Sequence, residues 1–160
     1  MKYARTAIAA VFLVGAGLLW SAFSSHGDPP AVGDPAPEFS LVSNEGTEVN
    51  LKDYRDQWVV LYFYPKDFTS GCTIQARNFQ RDIDQYEARN AVVLGVSVDD
   101  AETHEEFCTK EGLTFKLLAD TDASVSESYG SAVGLGEAKL SARNTFVIDP
   151  EGIVAKVYMK

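Results

Sequence analysis

The sequence has little cysteine and little histidine. Its 160 residues include only two of each, Cys72 and Cys108 with His26 and His104. Two cysteines are too few for a disulfide scaffold, and the four residues lack the spacing of a zinc site, which needs about four such ligands. We therefore predict no metal and no other cofactor.

Basic side chains are also in short supply, since 14 of them stand against 23 acidic side chains and give a formal net charge of −9. A surface of this sign repels nucleic acid and anionic membranes, and it favours solubility. Nucleic acid is therefore not an expected partner, and the acidic side chains are expected to form a solvated surface.

The N-terminal residues 1–24 have the pattern of an export signal. Lys2 and Arg5 form a basic start, and residues 7–23 carry no charge and are mostly apolar. Small residues near the end of the run suit a cleavage site, whereas an uncleaved run would anchor the chain. We predict a signal peptide or an N-terminal membrane anchor, with the domain exported to the periplasm or to the extracytoplasmic face of the inner membrane.

The rest of the chain is predicted to be a linker and one domain. Residues 25–35 are rich in proline and glycine, a composition typical of a linker. Residues 36–160 are enough for one domain with a hydrophobic core and too few for two. We expect this domain to be a monomer.

Strand and helix patterns alternate along this domain. They predict strands at 39–42, 47–51, 58–64, 91–98, 115–118, 144–148 and 153–158, and helices at 72–90, 101–111 and 124–129. The first two strands read as a hairpin, and Gly134-Leu135-Gly136 is expected to be a flexible loop. This order predicts an α/β sandwich of the thioredoxin-like fold with an added N-terminal β-hairpin.

Cys72 has the most informative surroundings in the sequence. An apolar, β-branched run from Val59 to Tyr64 is typical of a buried strand, and Pro65 ends it. Thr69 then offers a side-chain oxygen that can cap a helix, so Cys72 falls in the first helical turn. Unpaired N–H groups and the helix dipole stabilise an anion there, which makes Cys72 a candidate nucleophile.

The order of Pro65, Thr69 and Cys72, in the pattern Pro-x-x-x-Thr-x-x-Cys, resembles the active-site signature of peroxiredoxins. The string from Tyr62 to Gln75 is similar to the peroxiredoxin Q branch, also called bacterioferritin comigratory protein. The similarity covers about residues 31 to 158. It implies a thiol-dependent peroxidase that reduces hydrogen peroxide and organic hydroperoxides, with a thioredoxin-like dithiol protein as its reductant.

The resemblance also implies roles for single residues. Cys72 is the peroxidatic cysteine, which attacks the peroxide as a thiolate. Thr69 is expected to turn its hydroxyl toward the sulfur and the peroxide, and Pro65 to shield the pocket from water. Arg143 is the expected cation, because it precedes a strand predicted beside the Cys72 strand and because Ala142 to Asp149 resembles the peroxiredoxin segment with the active-site arginine.

Two features depart from the family pattern. Gln75 stands where this branch usually has glutamate, so it can hydrogen-bond but brings no charge to orient Arg143. The family also normally continues from its last strand into a C-terminal helix, whereas this sequence ends at Lys160. We therefore expect one face of the sheet to be less completely covered.

Cys108 lies on the second predicted helix, on a stripe with His104 and Phe107, so it can be a small core residue or a second reactive thiol. Some peroxiredoxin Q proteins carry the resolving cysteine five residues after the peroxidatic one, where this chain has Arg77. Others carry it on the following helix, in a segment similar to the one around Cys108. The resemblance therefore implies an intramolecular disulfide between Cys72 and Cys108, for which the turn around Cys72 is expected to unwind.

Two other interpretations stay open from the residues alone. One is a thioredoxin-like thiol-disulfide oxidoreductase, although such enzymes usually carry Cys-x-x-Cys and Thr69 occupies the first cysteine position here. The other is a noncatalytic tethered domain with a static disulfide between Cys72 and Cys108, which an oxidising compartment permits.

Overall fold

The computed structural model describes residues 28–135 and 138–160. The predicted signal peptide or anchor at 1–24 lies outside these residues, as does the start of the predicted linker. Within the described ranges, no helix combines the length and the apolar composition needed to cross a membrane. The signal peptide or membrane anchor at residues 1–24 therefore stays a prediction.

Nine strands and four α-helices make up the described part of the chain. The strands are β1 Ser40–Ser43, β2 Glu48–Asn50, β3 Trp58–Phe63, β4 Ala91–Ser97, β5 Lys116–Ala119, β6 Ala132–Leu135, β7 Ala138–Ser141, β8 Thr145–Ile148 and β9 Val154–Tyr158. The helices are α1 Ser70–Arg81, α2 Ile83–Glu87, α3 Ala101–Glu111 and α4 Ser124–Ser128, with a 3-10 turn at Leu51–Tyr54. All seven predicted strands are confirmed, each within one residue of its predicted ends.

Seven of these strands form one mixed sheet in the order β2-β1-β5-β4-β3-β8-β9. The central strands β5, β4 and β3 run parallel to one another, and β8 and β9 continue the sheet antiparallel. The N-terminal hairpin joins the same sheet, because β1 pairs antiparallel with β5. The predicted α/β sandwich with an N-terminal hairpin is confirmed.

Alternate side chains of β3 supply two separate hydrophobic cores. Leu61 and Phe63 point to one face of the sheet, where they pack with Tyr129 near the end of α4. Tyr62 and Tyr64 point to the other face, where they pack with residues of α1 and α3. Both cores are nearly inaccessible to water, as expected for a strand covered on both sides. Both cysteines belong to the second core.

The last residues of the predicted linker belong to the domain. The Gly33 N–H donates to the Val154 carbonyl at 2.8 Å, and the Val154 N–H donates to the Asp34 carbonyl at 2.9 Å. The Ala36 N–H donates to the Gly152 carbonyl at 2.9 Å. The chain is therefore fastened to the edge of β9 before residue 36, where the sequence predicts that the domain begins.

The single helix predicted over 72–90 is wrong, because the helix is interrupted at Asp82. The backbone of Asp82 has φ −102° and ψ 11°, outside the helical region, and it separates α1 from α2. Aspartate is a poor residue inside a helix, and here both carboxylate oxygens accept hydrogen bonds from Arg81. The predicted apolar face survives the interruption, since Phe79, Ile83 and Tyr86 all pack against the second core.

The flexible loop predicted at Gly134-Leu135-Gly136 is wrong for its first two residues, which lie in β6. This strand pairs antiparallel with β7 and forms a hairpin outside the main sheet. Gly134 has φ 125°, which glycine adopts without strain. Glycine content indicates a loop when only local sequence is considered, whereas the pairing partner of β6 decides its structure. Residues 136 and 137 lie outside the described part of the chain.

The packing of Gly95 in the middle of β4 generates a stability prediction. A Cβ atom added to Gly95 would lie 2.6 Å from Leu117 Cδ2 and 2.8 Å from the Tyr62 hydroxyl oxygen. We expect Gly95→Ala to lower the free energy of unfolding by about 1–3 kcal/mol, as overpacking of a rigid core does. Urea denaturation measures this loss.

A double-mutant cycle with Leu117→Val separates overpacking from a general weakness of alanine in the strand. Valine lacks the δ carbons of leucine, so the penalty of Gly95→Ala should be smaller in the Leu117→Val background. Additive effects of the two substitutions would contradict this explanation.

Candidate active site

Cys72 lies in the first turn of α1, as predicted, and its side chain is 1% exposed. The helix begins at Ser70, and Thr69 has the extended backbone of an N-cap residue. The Thr73 N–H donates to the Thr69 carbonyl at 2.9 Å, which closes the first turn. The sulfur therefore lies at the positive end of the helix, where negative charge is stabilised.

Arg143, the predicted cation, contacts the sulfur directly. Its Nη2 donates to Cys72 Sγ at 3.2 Å, and its Nη1 donates to Gln75 Oε1 at 3.0 Å. The uncharged amide of Gln75 thus holds the guanidinium by a hydrogen bond. Gly71 makes room for this approach, because a Cβ atom there would lie 2.9 Å from Arg143 Nη2.

The register of the sheet brings Arg143 to this place. It precedes β8, whose Thr145 pairs with Tyr62 of β3, and the Phe63 N–H donates to the Asn144 carbonyl at 2.8 Å. Asn144 is 2% exposed, and its side-chain amide donates to the Ser131 hydroxyl at 3.0 Å. This buried support for the residue next to Arg143 is absent from the sequence prediction.

Thr69 and Pro65 occupy the loop between β3 and α1. Thr69 is at the predicted N-cap position, but its side chain makes no capping hydrogen bond to the helix. The hydroxyl instead donates to the Lys66 carbonyl at 3.0 Å, so the expected side-chain cap is wrong. Pro65 is half-buried just after the end of β3, where the sequence predicts that the strand ends.

Cys108 lies on the face of α3 that is turned toward the sheet, and it is 6% exposed. It shares the second core with Cys72, and both side chains are free thiols. Burial raises the pKa of Cys108 to about 12, and the negative charges of Asp67 and Glu45 act in the same direction. The thiol of Cys108 is therefore protonated at neutral pH in this conformation.

A buried polar pair next to the site is missing from the sequence prediction. His104 Nδ1 and Asp67 Oδ2 are 2.6 Å apart, and the two side chains are at most 1% exposed. The Tyr64 hydroxyl donates to Asp67 Oδ1 at 2.7 Å, and burial keeps this hydroxyl protonated by raising the pKa of Tyr64. The sequence does place His104 on the buried stripe of α3. Because a buried polar group needs a hydrogen-bond partner, this position indicates that a partner exists, but it does not identify Asp67.

A groove of about 510 Å³ opens beside Arg143. Its lining includes Gly71, Gln75 and Arg143, together with apolar side chains of α1, α2 and β9. Two of these side chains are notably exposed, Ile74 at 62% and Tyr158 at 55%. This groove lies on the α1 face of the sheet.

The raised pKa of Cys108 predicts a pH dependence of stability. Because the folded state favours the neutral thiol, its contribution is fully present below the ordinary value of 9.0 and is lost as pH rises toward about 12. We expect the free energy of unfolding to fall more steeply above about pH 9 in the parent than in Cys108→Ala.

Urea denaturation at about pH 8 and about pH 10.5 measures this difference between the two proteins. Buried tyrosines lose stability in the same direction, but they are common to both proteins and cancel. Equal losses in the parent and in Cys108→Ala would contradict the prediction.

Comparison with known proteins gives a consistent result. The AhpC/TSA family matches residues 32–157. Peroxiredoxin Bcp of Escherichia coli strain K12 is 38% identical over 138 residues, which cover 82% of this chain and 86% of that protein. A cysteine-to-serine variant of PrxQ from Xylella fastidiosa has a similar structure, with a TM-score of 0.77, 34% identity, and coverage of 82% of this chain and 87% of that chain.

Xanthomonas campestris supplies a third relative. Its peroxiredoxin Q has been solved with each of two cysteines replaced by serine. These two cysteines are 36 positions apart in that sequence, the same separation as that between Cys72 and Cys108 here. Both structures have a TM-score of 0.71 and 31% identity, and they cover 75% of this chain and 78% or 79% of the other. The bacterioferritin comigratory protein of this organism is described by its alkyl peroxide reduction activity.

These matches span most of the chain, and they join the thioredoxin-like fold to a family of thiol peroxidases. The arrangement around Cys72 lies within the matched segment. The chain therefore belongs to the AhpC/TSA family, in its peroxiredoxin Q or bacterioferritin comigratory protein branch.

Proposed function

We propose that the protein is a thiol peroxidase in which Cys72 reduces hydrogen peroxide and organic hydroperoxides and Cys108 resolves the oxidised sulfur. The observation that carries this proposal is the contact of 3.2 Å between Arg143 Nη2 and Cys72 Sγ at the start of α1. A buried sulfur beside a helix N-terminus and a permanent cation has the environment of a reactive thiolate.

In the first step, the Cys72 thiolate attacks one oxygen of the hydroperoxide. A sulfur–oxygen bond forms and the oxygen–oxygen bond breaks, so the sulfur is oxidised to a sulfenic acid. The other oxygen leaves as hydroxide or alkoxide and takes up a proton to give water or an alcohol. Arg143 and the N–H groups of the first turn of α1 stabilise the charge that develops on the leaving oxygen.

Thr69 and Pro65 complete the peroxide pocket in this proposal. Thr69 lies three residues before Cys72, and rotation of its side chain away from the Lys66 carbonyl would turn the hydroxyl toward the bound peroxide. Pro65 is half-buried at the end of β3 and limits the access of water from that side. Both roles position and shield the peroxide, and neither requires a charge.

In the second step, the Cys108 sulfur attacks the sulfenic sulfur of Cys72 as a thiolate. A disulfide forms, and hydroxide leaves and is protonated to water. The equal cysteine spacing in Xanthomonas campestris peroxiredoxin Q supports this pairing. The burial of Cys108 means that the step needs the first turn of α1 to unwind and part of α3 to move.

The cycle closes when an external dithiol protein exchanges with the disulfide. The dithiol is oxidised to a disulfide while Cys72 and Cys108 return to thiols. By family resemblance this reductant is a thioredoxin-like protein, which makes the enzyme an atypical 2-Cys peroxiredoxin.

Organic hydroperoxides are proposed as substrates beside hydrogen peroxide. The apolar walls of the groove next to Arg143 suit an alkyl chain better than they suit water. The alkyl peroxide reduction activity described for the Xanthomonas campestris bacterioferritin comigratory protein supports this choice.

The location of the enzyme remains the one proposed from residues 1–24. Their basic start and uncharged run support export, either as a cleaved signal or as a tether, to the periplasm or the extracytoplasmic face of the inner membrane. We also propose a monomer, since both half-reactions use thiols of one chain.

Replacement of the two cysteines separates the steps. Cys72→Ser should reduce hydroperoxide consumption to background, because no other thiolate is held by Arg143 in the proposed site. Cys108→Ser should still react once with peroxide and accumulate sulfenic acid, because only the second step is lost. Rapid mixing of the reduced full chain with stoichiometric peroxide, followed by mass spectrometry, should identify a disulfide between Cys72 and Cys108 in the parent.

The same experiment decides among the alternatives. A thioredoxin-type oxidoreductase would react with a protein disulfide and ignore peroxide, and a domain with a static disulfide would show no reducible thiol chemistry. Unchanged peroxide consumption in Cys72→Ser would contradict the proposed function.

Gly71→Ala tests the contact between Arg143 and Cys72 without removing either residue. The added methyl group would lie 2.9 Å from Arg143 Nη2 and should displace the guanidinium. We expect the rate of Cys72 oxidation to fall about tenfold, which is less than the loss on deleting a stabilising donor outright. Stopped-flow measurement of peroxide consumption checks this rate.

Ser70→Ala is the matched control, because Ser70 is the exposed neighbour in the same helical turn. It should retain the parent rate. Equal losses in Gly71→Ala and Ser70→Ala, or no loss in Gly71→Ala, would exclude the proposed role of the contact.

A further inference from the structure

The loop before Cys72 is fastened to α3 by contacts that the proposed peroxide chemistry does not use. This loop, residues 64–69, contacts α3 at two successive positions, Asp67 and Phe68. Asp67 lies five residues before Cys72. Its partner on α3, His104, lies one helical turn before Cys108. The two thiols are therefore connected through the loop and the helix that position them.

The polar part of the fastening is fully buried. The side chains of His104 and Asp67 are 0% and 1% exposed, and their Nδ1 and Oδ2 atoms are 2.6 Å apart. Tyr64 occupies the second carboxylate oxygen, and the Asp67 N–H donates to the Asp99 carboxylate at 2.9 Å. Both carboxylate oxygens and the N–H group of Asp67 thus have partners, and these contacts fix the path of the loop.

The apolar part is held in a strained conformation. Phe68 has φ 59°, which is uncommon for a bulky residue and costs conformational energy. Its ring packs edge-on against Phe107 at 5.1 Å, and Lys110 Nζ lies 5.1 Å from the same ring. The strain at Phe68 favours a change in the backbone conformation of the loop. The loop therefore depends on its contacts with α3 to remain in this conformation.

The pair is not explained by stability alone. His104 Nε2 is buried and has no hydrogen-bond partner among the residues that the structure describes. A buried polar atom without a partner costs stability, and apolar residues of similar volume often replace buried polar pairs without loss. A role in function accounts for keeping a histidine at this position.

We propose that Asp67 and His104 form a latch, which holds the Cys72 loop against α3 while peroxide reacts and must open before Cys108 reaches the Cys72 sulfenic acid. This inference rests on the proposed function and assigns His104 and Asp67 as positioning residues. The closed latch keeps Cys72 beside Arg143 and keeps Cys108 buried. The open latch frees the loop for disulfide formation.

The latch makes the two half-reactions respond in opposite directions. Weakening it should slow the oxidation of Cys72, because the loop leaves the geometry in which Arg143 contacts the sulfur. It should speed disulfide formation, because the open state becomes more populated. A residue that only stabilises the fold would not produce this opposite pair of changes.

His104→Leu is the variant that removes the latch, and His104→Asn is the conservative one, since its amide can donate from near the position of Nδ1. In the full chain, quenched-flow mass spectrometry measures Cys72 oxidation in a Cys108→Ser background and disulfide formation with Cys108 present. For His104→Leu we expect oxidation to be about tenfold slower and disulfide formation about tenfold faster, the size expected from the loss of one buried hydrogen bond. For His104→Asn both rates should stay close to the parent.

Two further variants keep the test decisive. Asp67→Asn preserves the size of the side chain, and it should also slow Cys72 oxidation and speed disulfide formation. It therefore tests the latch even if His104→Leu does not fold. Val154→Ala is the stability control, because Val154 is 0% exposed in the core on the opposite face of the sheet. It should lower the melting temperature and leave both rates unchanged.

The outcomes are distinguishable. If His104→Leu and Asp67→Asn leave both rates unchanged, as Val154→Ala should, or slow both steps together, the latch is wrong while the proposed function stands. If Cys72 of the parent does not react with hydrogen peroxide, the proposed function is wrong, and the latch is overturned with it.

Discussion

The antiparallel pairing of β8 with β3 is the constraint on which the site depends. Cys72 and Arg143 are 71 residues apart in the chain, and only this pairing brings the guanidinium to the start of α1. A slip of one residue in the register would turn Arg143 to the other face of the sheet. The buried hydrogen bond from Asn144 to Ser131 therefore supports the site, although neither residue contacts the sulfur.

The two thiols show how neighbours decide the chemistry of a buried group. Both belong to the same core and are nearly inaccessible to water. Cys72 lies at the positive end of a helix beside a guanidinium, which favours an anion. Cys108 lies late in α3, near the negative charges of Asp67 and Glu45, which together with burial oppose an anion. One core can thus hold two thiols with opposite electrostatic surroundings.

Sequence reasoning was sufficient where the structure is decided locally. Pro65 and Thr69 predict that a strand ends and a helix begins just before Cys72, and apolar runs predict the strands within one residue. Arg143 was predicted because strand order and family resemblance point to the same segment. In contrast, the break at Asp82 depends on a fine balance of helix stability, which periodicity does not report.

Contacts between distant segments were beyond the sequence pattern. Asp67 and His104 are 37 positions apart, and no feature of the sequence near either residue indicates that the two form a pair. The hairpin of β6 and β7 was missed for a similar reason, since its glycines indicate a loop until the partner strand is known. Burial of a polar residue can be predicted from a stripe on a helix, but its partner requires the fold.

The hydrogen bonds between Gly33, Asp34 and Val154 also fix the place where the chain enters the domain. From this edge the chain runs to Ala36, which packs in the core on the face opposite to Cys72. Residues 29–36 therefore run along the side of the domain that carries α4, with Pro29 packed against Gly130. The first described residues and the Cys72 thiol thus lie on opposite faces of the sheet, which keeps the point where the chain enters the domain away from the candidate active site.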